Sequence, residues 1–167
     1  VESWLLDGLR CPQVPTPHVI ACDASRRNAP FAWQILERID APNLQHWHTK
    51  GQLDVDRVAF AVGEAVAHWQ QTPVSDYGPF DARVLAAEGR LQGYHDSYAD
   101  YFHLNLGRHL ALLRDAEFLS PRRTVEIENA LGHHEALLRL NGACLVHKDL
   151  AFWNILGSPT EIAAYID

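Results

Sequence analysis

The sequence predicts an α+β chain: a short strand-bearing N-terminal part, a long helical block, and a closing set of small strands that carry polar residues. Three observations predict it. Two β-branched or aromatic runs, "HVIACD" and "FAWQILERI", flank the turn-rich "ASRRNAP" and read as two strands joined by a loop. From Asp54 onward the apolar residues recur at helical rather than strand spacing. The chain then ends on "LVHKDLAFWNILGSPTEIAAYID", where a histidine, two aspartates and an asparagine sit among short apolar runs and tight turns.

Taken in order, "VESWLLDGLR" places Trp4, Leu5 and Leu9 at helical spacing, and the three prolines of "CPQVPTP" end that helix. The two strands follow, and "DAPNL" reads as a connector. Asp54 is the expected N-cap of a helix whose inner face is Val55, Val58, Val62, Val66 and Trp69, stopped by "TP" at 72–73. A loop around "SDYGPF" leads to a second helix, capped by Ser97, with Tyr98, Phe102, Leu106, Leu110 and Leu113 on one stripe. "SP" at 120–121 starts a third, with Ile127, Leu131 and Leu138 inward. "ACLVH", "NILG" and "IAAYID" are strand-like, and "GSPTE" turns the last two into a hairpin. No internal repeat or low-complexity segment interrupts the order.

Composition narrows the function classes. Apolar residues make up 47% and charged residues 21%, as in an ordinary soluble domain, and no apolar run approaches the roughly 18 residues of a membrane span. A net charge of −7 argues against nucleic acid as partner and suits a cationic substrate as well as plain solubility. Cys11, Cys22 and Cys144, few and odd in number among apolar neighbours, read as buried thiols of a reducing, cytoplasmic compartment. Methionine is absent and the opening residues read as a helix in progress, so the chain is expected to be a segment of a longer protein.

The polar residues near the end form a pattern with a chemistry. His147, Asp149 and Asn154 make H-x-D-x-x-x-x-N, and Asp167 ends the following strand. An aspartate on such a loop can take the proton of an attacking hydroxyl. The asparagine amide oxygen and the second carboxylate can supply hard oxygens to Mg²⁺, the set phosphoryl transfer uses. The plainer alternative is that all four are turn-formers and caps at strand ends, with His147 filling the core.

"LVHKDLAFWNIL" resembles the catalytic loop of the aminoglycoside phosphotransferase and choline kinase-like family, commonly H-G-D-x-x-x-x-N. "YID" resembles its metal-binding strand end, "PTPHVIACD" the stretch before its fourth strand, "FAWQILERI" the strand into its nucleotide hinge, and "YGPF" a loop of several members. The resemblance implies a protein-kinase-like fold, with residues 1–40 the remainder of the N-terminal nucleotide-binding lobe and 41–167 a largely helical catalytic and substrate lobe. It implies ATP as co-substrate and Mg²⁺ as cofactor, with transfer of the γ-phosphate to a hydroxyl of a small molecule. Asp149 would be the catalytic base, Asn154 and Asp167 the metal ligands, and His147 the support of the loop. The backbone of Glu37 and Ile39 would receive adenine, Leu36 would back the pocket, and Glu2 would sit near the glutamate that pairs with the ATP lysine.

The chain departs from the family pattern at Lys148, where a glycine is common, and at the bulky Phe152 and Trp153, which either pack against the helical block or wall the substrate pocket. Neither of its two lysines, Lys50 and Lys148, precedes the hinge, so the ATP lysine and the glycine-rich loop are expected before residue 1. Other readings stay open. "HKDLAFWN" also resembles the tyrosine-kinase loop, although the stretch between Glu37 and His147 holds more helix than a protein kinase places there. A pseudokinase or binding module has no need of Asp149, Asn154 and Asp167 together. "HWH" at 46–48 and "GHHE" at 132–135 invite a metal-hydrolase reading, but neither defines three converging ligands. Asp96, Asp100, Glu126, Glu128 and Glu135 could receive an amino sugar or another cation, or simply form a solvated face.

Overall fold

The computed structural model describes residues 1–166. In chain order the elements are α1 (Glu2–Gly8), β1 (Val19–Asp23), β2 (Trp33–Leu36), α2 (Leu44–Thr49), α3 (Val55–Trp69), β3 (Val74–Ser75), β4 (Tyr77–Phe80), α4 (Ala82–Glu88), β5 (Leu91–His95), α5 (Tyr98–His103), α6 (Leu106–Asp115), α7 (Pro121–His133), β6 (Ile155–Gly157) and β7 (Ile162–Tyr165). Short 3₁₀ turns cover Glu135–Leu138 and Phe152–Asn154. The chain divides into two compact units. One comprises residues 1–72 and the chain from Leu145 onward, and the other is Pro73–Cys144.

In the first unit β1 and β2 pair antiparallel, Val19 opposite Leu36 and Asp23 opposite Trp33. α3 starts where Asp54 accepts from the Arg57 N–H at 3.1 Å, and it buries Val58, Ala65 and Trp69. The β6–β7 hairpin pairs Ile155 with Tyr165 and is closed by the Ser158 N–H to the Glu161 carbonyl at 2.9 Å. Four bonds from distant parts of the chain hold it in place. Gly157 N–H donates to Pro42 O at 2.9 Å, Trp47 Nε1 to Gly157 O at 2.8 Å, Tyr165 N–H to Pro15 O at 2.8 Å, and Asp54 N–H to Pro159 O at 2.9 Å. Leu44, Val58, Ile155 and Val14 are almost wholly buried around them, each worth about 1.5–3 kcal/mol of transfer free energy. Gly157 is required at the hairpin bend, because a Cβ there would overlap the Glu161 carbonyl oxygen.

The second unit carries a three-stranded sheet in the order β3-β5-β4, followed by α5, α6 and α7. Asp81 caps α4 and is gripped by Arg83 at 2.9 Å, a hydrogen bond that holds the Asp81 carboxyl below the usual carboxylate range. α7 starts at Ser120, whose side chain accepts from Arg123 N–H at 3.2 Å, with Pro121 at its first position.

The expected α+β order holds, with corrections inside it. The "SDYGPF" stretch is strand rather than loop, and α4 was not anticipated. β3 has two residues and β4 four, too few for a period to show. The single helix expected from Ser97 to Leu113 is two, because the chain breaks helical geometry at Asn105 (φ −123°, ψ 4°). "ACLVH" alternates, with Leu145 buried and Val146 exposed, yet no strand pairs with it among the described residues. The connector "DAPNL" runs into a short helix, α2, that was not anticipated; Asn43 caps it, accepting from His46 N–H at 3.1 Å, so "HWH" is helical. On α1 the buried residue is Leu6, and Trp4 faces out. On α3 the inward residues include Ala65, while Val55 in the first turn is exposed. Cys22 and Cys144 are exposed and Cys11 half-buried, correcting the expectation of buried thiols. Among the described residues nothing covers one face of the β1–β2 pair, so even Ile20 is 62% exposed.

Candidate active site

The loop from His147 to Asn154 runs directly into β6. At Lys148 the backbone takes a left-handed turn (φ +42°), where a glycine would rest without strain. His147 lies half-buried, its ring 6.0 Å from that of Trp69 on α3. The loop then tightens. Ala151 N–H donates to the Asp149 carbonyl at 2.9 Å, and Asn154 N–H to the Ala151 carbonyl at 2.9 Å, which makes the 3₁₀ turn. Just past β7, Ile166 N–H donates to the Asn154 carbonyl at 2.9 Å.

Within this frame the two central residues meet. Asn154 is buried, and its Nδ2 donates to the Asp149 backbone oxygen at 2.9 Å and to Asp149 Oδ2 at 3.0 Å. Asp149 itself is exposed to solvent. Trp153 Nε1 approaches the same Oδ2 at 3.4 Å. The loop therefore presents a carboxylate whose one oxygen is steered by two donors. Since the Asn154 amide nitrogen is turned to Asp149, the carbonyl end Oδ1 is its remaining ligating atom. Asp167, the other expected metal ligand, lies outside the described residues.

The residues expected to form a nucleotide hinge sit in the same unit. Leu36, half-buried, ends β2. Glu37 N–H donates to His18 O at 2.8 Å, and Glu37 Oε2 accepts from His18 N–H at 3.2 Å. Among the described residues, the Glu37 carbonyl and the Ile39 N–H have no hydrogen-bond partner. An acceptor and a donor two residues apart on an edge can read the two adjacent polar atoms of a purine. Glu2 is exposed on α1 and accepts from Gln34 Nε2. It shares an open groove of about 370 Å³ with His147, Lys148, Trp69 and Tyr165. The structure thus joins Asp149 to Asn154, sets His147 beside them in sequence, and puts Glu2 on a groove that the loop also lines.

The helical unit accounts for most of its acids internally. Asp100 accepts from the Ser97 hydroxyl at 2.6 Å, and Glu126 from Arg123 and Arg122 at 2.9 and 3.0 Å. Those arginines hold the Glu126 carboxyl below its ordinary range. Glu135 meets His103 Nε2 at 3.0 Å. No three His, Cys, Asp or Glu side chains converge on a metal position among the described residues.

Three aromatic residues take roles that the sequence reading did not give them. Trp153, expected to pack or to wall a pocket, is 54% exposed and donates toward the Asp149 carboxylate. Phe152 packs on His48 of α2, ring centroids 5.3 Å apart, rather than on the helical block. Trp47 anchors the hairpin through its indole. The only signal for it was a tryptophan in an otherwise polar run after a capping asparagine.

The described residues contain no helix long and apolar enough to cross a membrane. A search of curated protein sequences finds no match. Among solved structures, a thermostable mutant of aminoglycoside phosphotransferase APH(4)-Ia in ternary complex with AMP-PNP and hygromycin B superposes with a TM-score of 0.67 at 16% identity, over 99% of this chain and 53% of that one. Another structure, described as that of aminoglycoside phosphotransferase APH(4)-Ia, gives 0.64 at the same identity, over 99% of this chain and 53% of that one. The chain therefore spans about half the length of these solved proteins, and at that identity the likeness shows the kinase-like fold. The sequence model of one family, described as the phosphotransferase enzyme family, matches residues 5–167. A match that runs from α1 through the Asp149–Asn154 loop covers nearly every element described above, and the chain belongs to the phosphotransferase enzyme family.

Proposed function

We propose that this chain forms the hinge and catalytic part of an ATP-dependent phosphotransferase that moves the γ-phosphate to a hydroxyl of a small molecule. One observation carries the reading: an exposed Asp149 carboxylate held by a buried Asn154, five residues away on one tight loop. Phosphoryl transfer asks the protein chiefly to position groups and neutralise charge, and such a loop does the positioning. Asp149 orients the acceptor hydroxyl and takes its proton. Asn154 keeps Asp149 in place through Nδ2, and its Oδ1 is a hard oxygen of the kind Mg²⁺ prefers. Asp167 would add the second ligand. When bound, Mg²⁺ would neutralise charge on the transferring phosphates. The Glu37 carbonyl and Ile39 N–H receive adenine with Leu36 behind it, Glu2 faces the phosphate side, and His147 supports the loop from its place against Trp69.

In this reading residues 1–40 belong to the nucleotide-binding lobe and 41–167 to the catalytic and substrate lobe, in a cytoplasmic enzyme. The solved relative binds hygromycin B, an aminoglycoside. We take a hydroxylated, cationic acceptor, an amino sugar or amino alcohol, as the first class to try. The test is a panel of hydroxylated acceptors incubated with γ-labelled ATP and Mg²⁺ and the full-length protein. Label on an amino sugar or amino alcohol supports the reading. Label on tyrosine peptides alone would make it a protein kinase, and nucleotide binding without transfer to any acceptor would make it a pseudokinase.

A further inference from the structure

Away from the Asp149 loop, a thiol and an imidazole are brought together by the fold. Cys11 Sγ lies 3.3 Å from His68 Nε2, across 57 residues of sequence. Neither partner is free to wander. Cys11 begins a four-residue turn in which its N–H and carbonyl both bond to Val14, at 3.3 and 3.0 Å, and Val14 is buried to 1%. His68 stands in the last turn of α3, next to the buried Trp69. Cys11 is half-buried and still reachable, and His68 is exposed. The other two thiols, Cys22 and Cys144, are more exposed, and neither has a histidine partner among the described residues.

We propose that Cys11 and His68 form a thiol–imidazole pair that makes Cys11 the preferred modification site of this protein for soft electrophiles. A nucleophile within hydrogen-bond reach of a base is the arrangement that activates a thiol. In the step itself, His68 Nε2 takes the thiol proton while Cys11 Sγ forms a bond to the electrophilic carbon. That carbon releases its leaving group with the bonding electron pair. With iodoacetamide the products are the carboxamidomethyl thioether at Cys11, iodide, and a protonated His68. Accessibility alone predicts the opposite order, since Cys11 is the least exposed of the three.

The experiment is a time course of substoichiometric iodoacetamide labelling on the folded full-length protein at neutral pH, read by peptide mass spectrometry at each cysteine. Cys11 should label about tenfold faster than Cys22 or Cys144. His68→Ala, and His68→Gln as the replacement closer in size, should bring Cys11 down to or below the rate of the other two without altering theirs. The comparison among the three thiols is internal to the unaltered protein, so it stands even if a variant folds poorly. Labelling of Cys11 no faster than of Cys22 and Cys144 overturns the proposal. So does fast labelling that survives both His68 replacements with the fold intact.

Discussion

At the scale of single residues, the proposed chemistry concentrates on one exposed carboxylate, that of Asp149. Replacing a general base typically costs about 10²–10⁴-fold in rate. If Asp149 is that base, as proposed, Asp149→Asn should remove most turnover while leaving ATP affinity nearly unchanged, because the adenine contacts proposed for Glu37 and Ile39 do not involve it. Steady-state kinetics beside a nucleotide titration measure both, and near-normal turnover would remove Asp149 from its role. Lys148 is the second residue with a consequence. Its left-handed backbone (φ +42°) costs a residue with a Cβ about 1 kcal/mol. Lys148→Gly should raise the urea midpoint relative to Lys148→Ala, since both remove the same side chain and only glycine relieves the backbone. Equal midpoints would show that the turn is unstrained. The family glycine at this position was legible in sequence only as a departure. The dihedral shows what that departure costs.

At the scale of elements, the β6–β7 hairpin positions the candidate site. It presents Asn154 at its start and hydrogen-bonds Ile166 back to Asn154, at 2.9 Å. Gly157→Ala should destabilise the protein by about 1–3 kcal/mol, because the added Cβ meets backbone rather than a movable side chain. It should also lower turnover by shifting Asn154, three residues before it. A thermal midpoint and an activity assay on the same sample check both, and an unchanged midpoint would sink the assignment. The hairpin was readable from "NILGSPTEIAAYID" because strand alternation and a Ser-Pro turn are local signals. The small sheet at residues 74–95 was not, because its strands are short and owe their state to pairing with one another, Val74 with Leu91 and Phe80 with Gly93. Asn105 splits a continuous apolar stripe into α5 and α6. That break shows how periodicity finds a face without finding its interruptions.

At the scale of the whole molecule, the first unit closes around Tyr165. Its N–H bonds to Pro15 and its ring stands edge-on to Trp69, centroids 5.7 Å apart. Burial pushes the Tyr165 phenol up to about 12, against about 10 for an unfolded tyrosine. Between those values the unfolded chain gives up a proton that the folded one keeps, so this residue makes stability fall as pH rises from about 10 to about 12. Urea midpoints at about pH 9 and about pH 11 should show that fall, and Tyr165→Phe should lessen it. An equal fall in the variant would mean that other groups account for it.

The sequence by itself determined the α+β order, the capped helices and the catalytic-loop pattern, because each is written in residues close together: a cap and its turn, a period of 3.6, an aspartate and an asparagine five apart. It also carried the family, through the same loop. What only the tertiary structure decided depends on residues far apart. Trp47 reaches Gly157, Pro15 and Pro42 receive the hairpin's N–H groups, and His68 stands over Cys11. Exposure belongs to this second class too. An apolar neighbourhood in sequence did not bury Cys22 or Ile20, because among the described residues no layer packs on that face of the two-stranded sheet. Local pattern sets what an element is, and which side of it meets water is settled only when the chain returns from a distance to cover it.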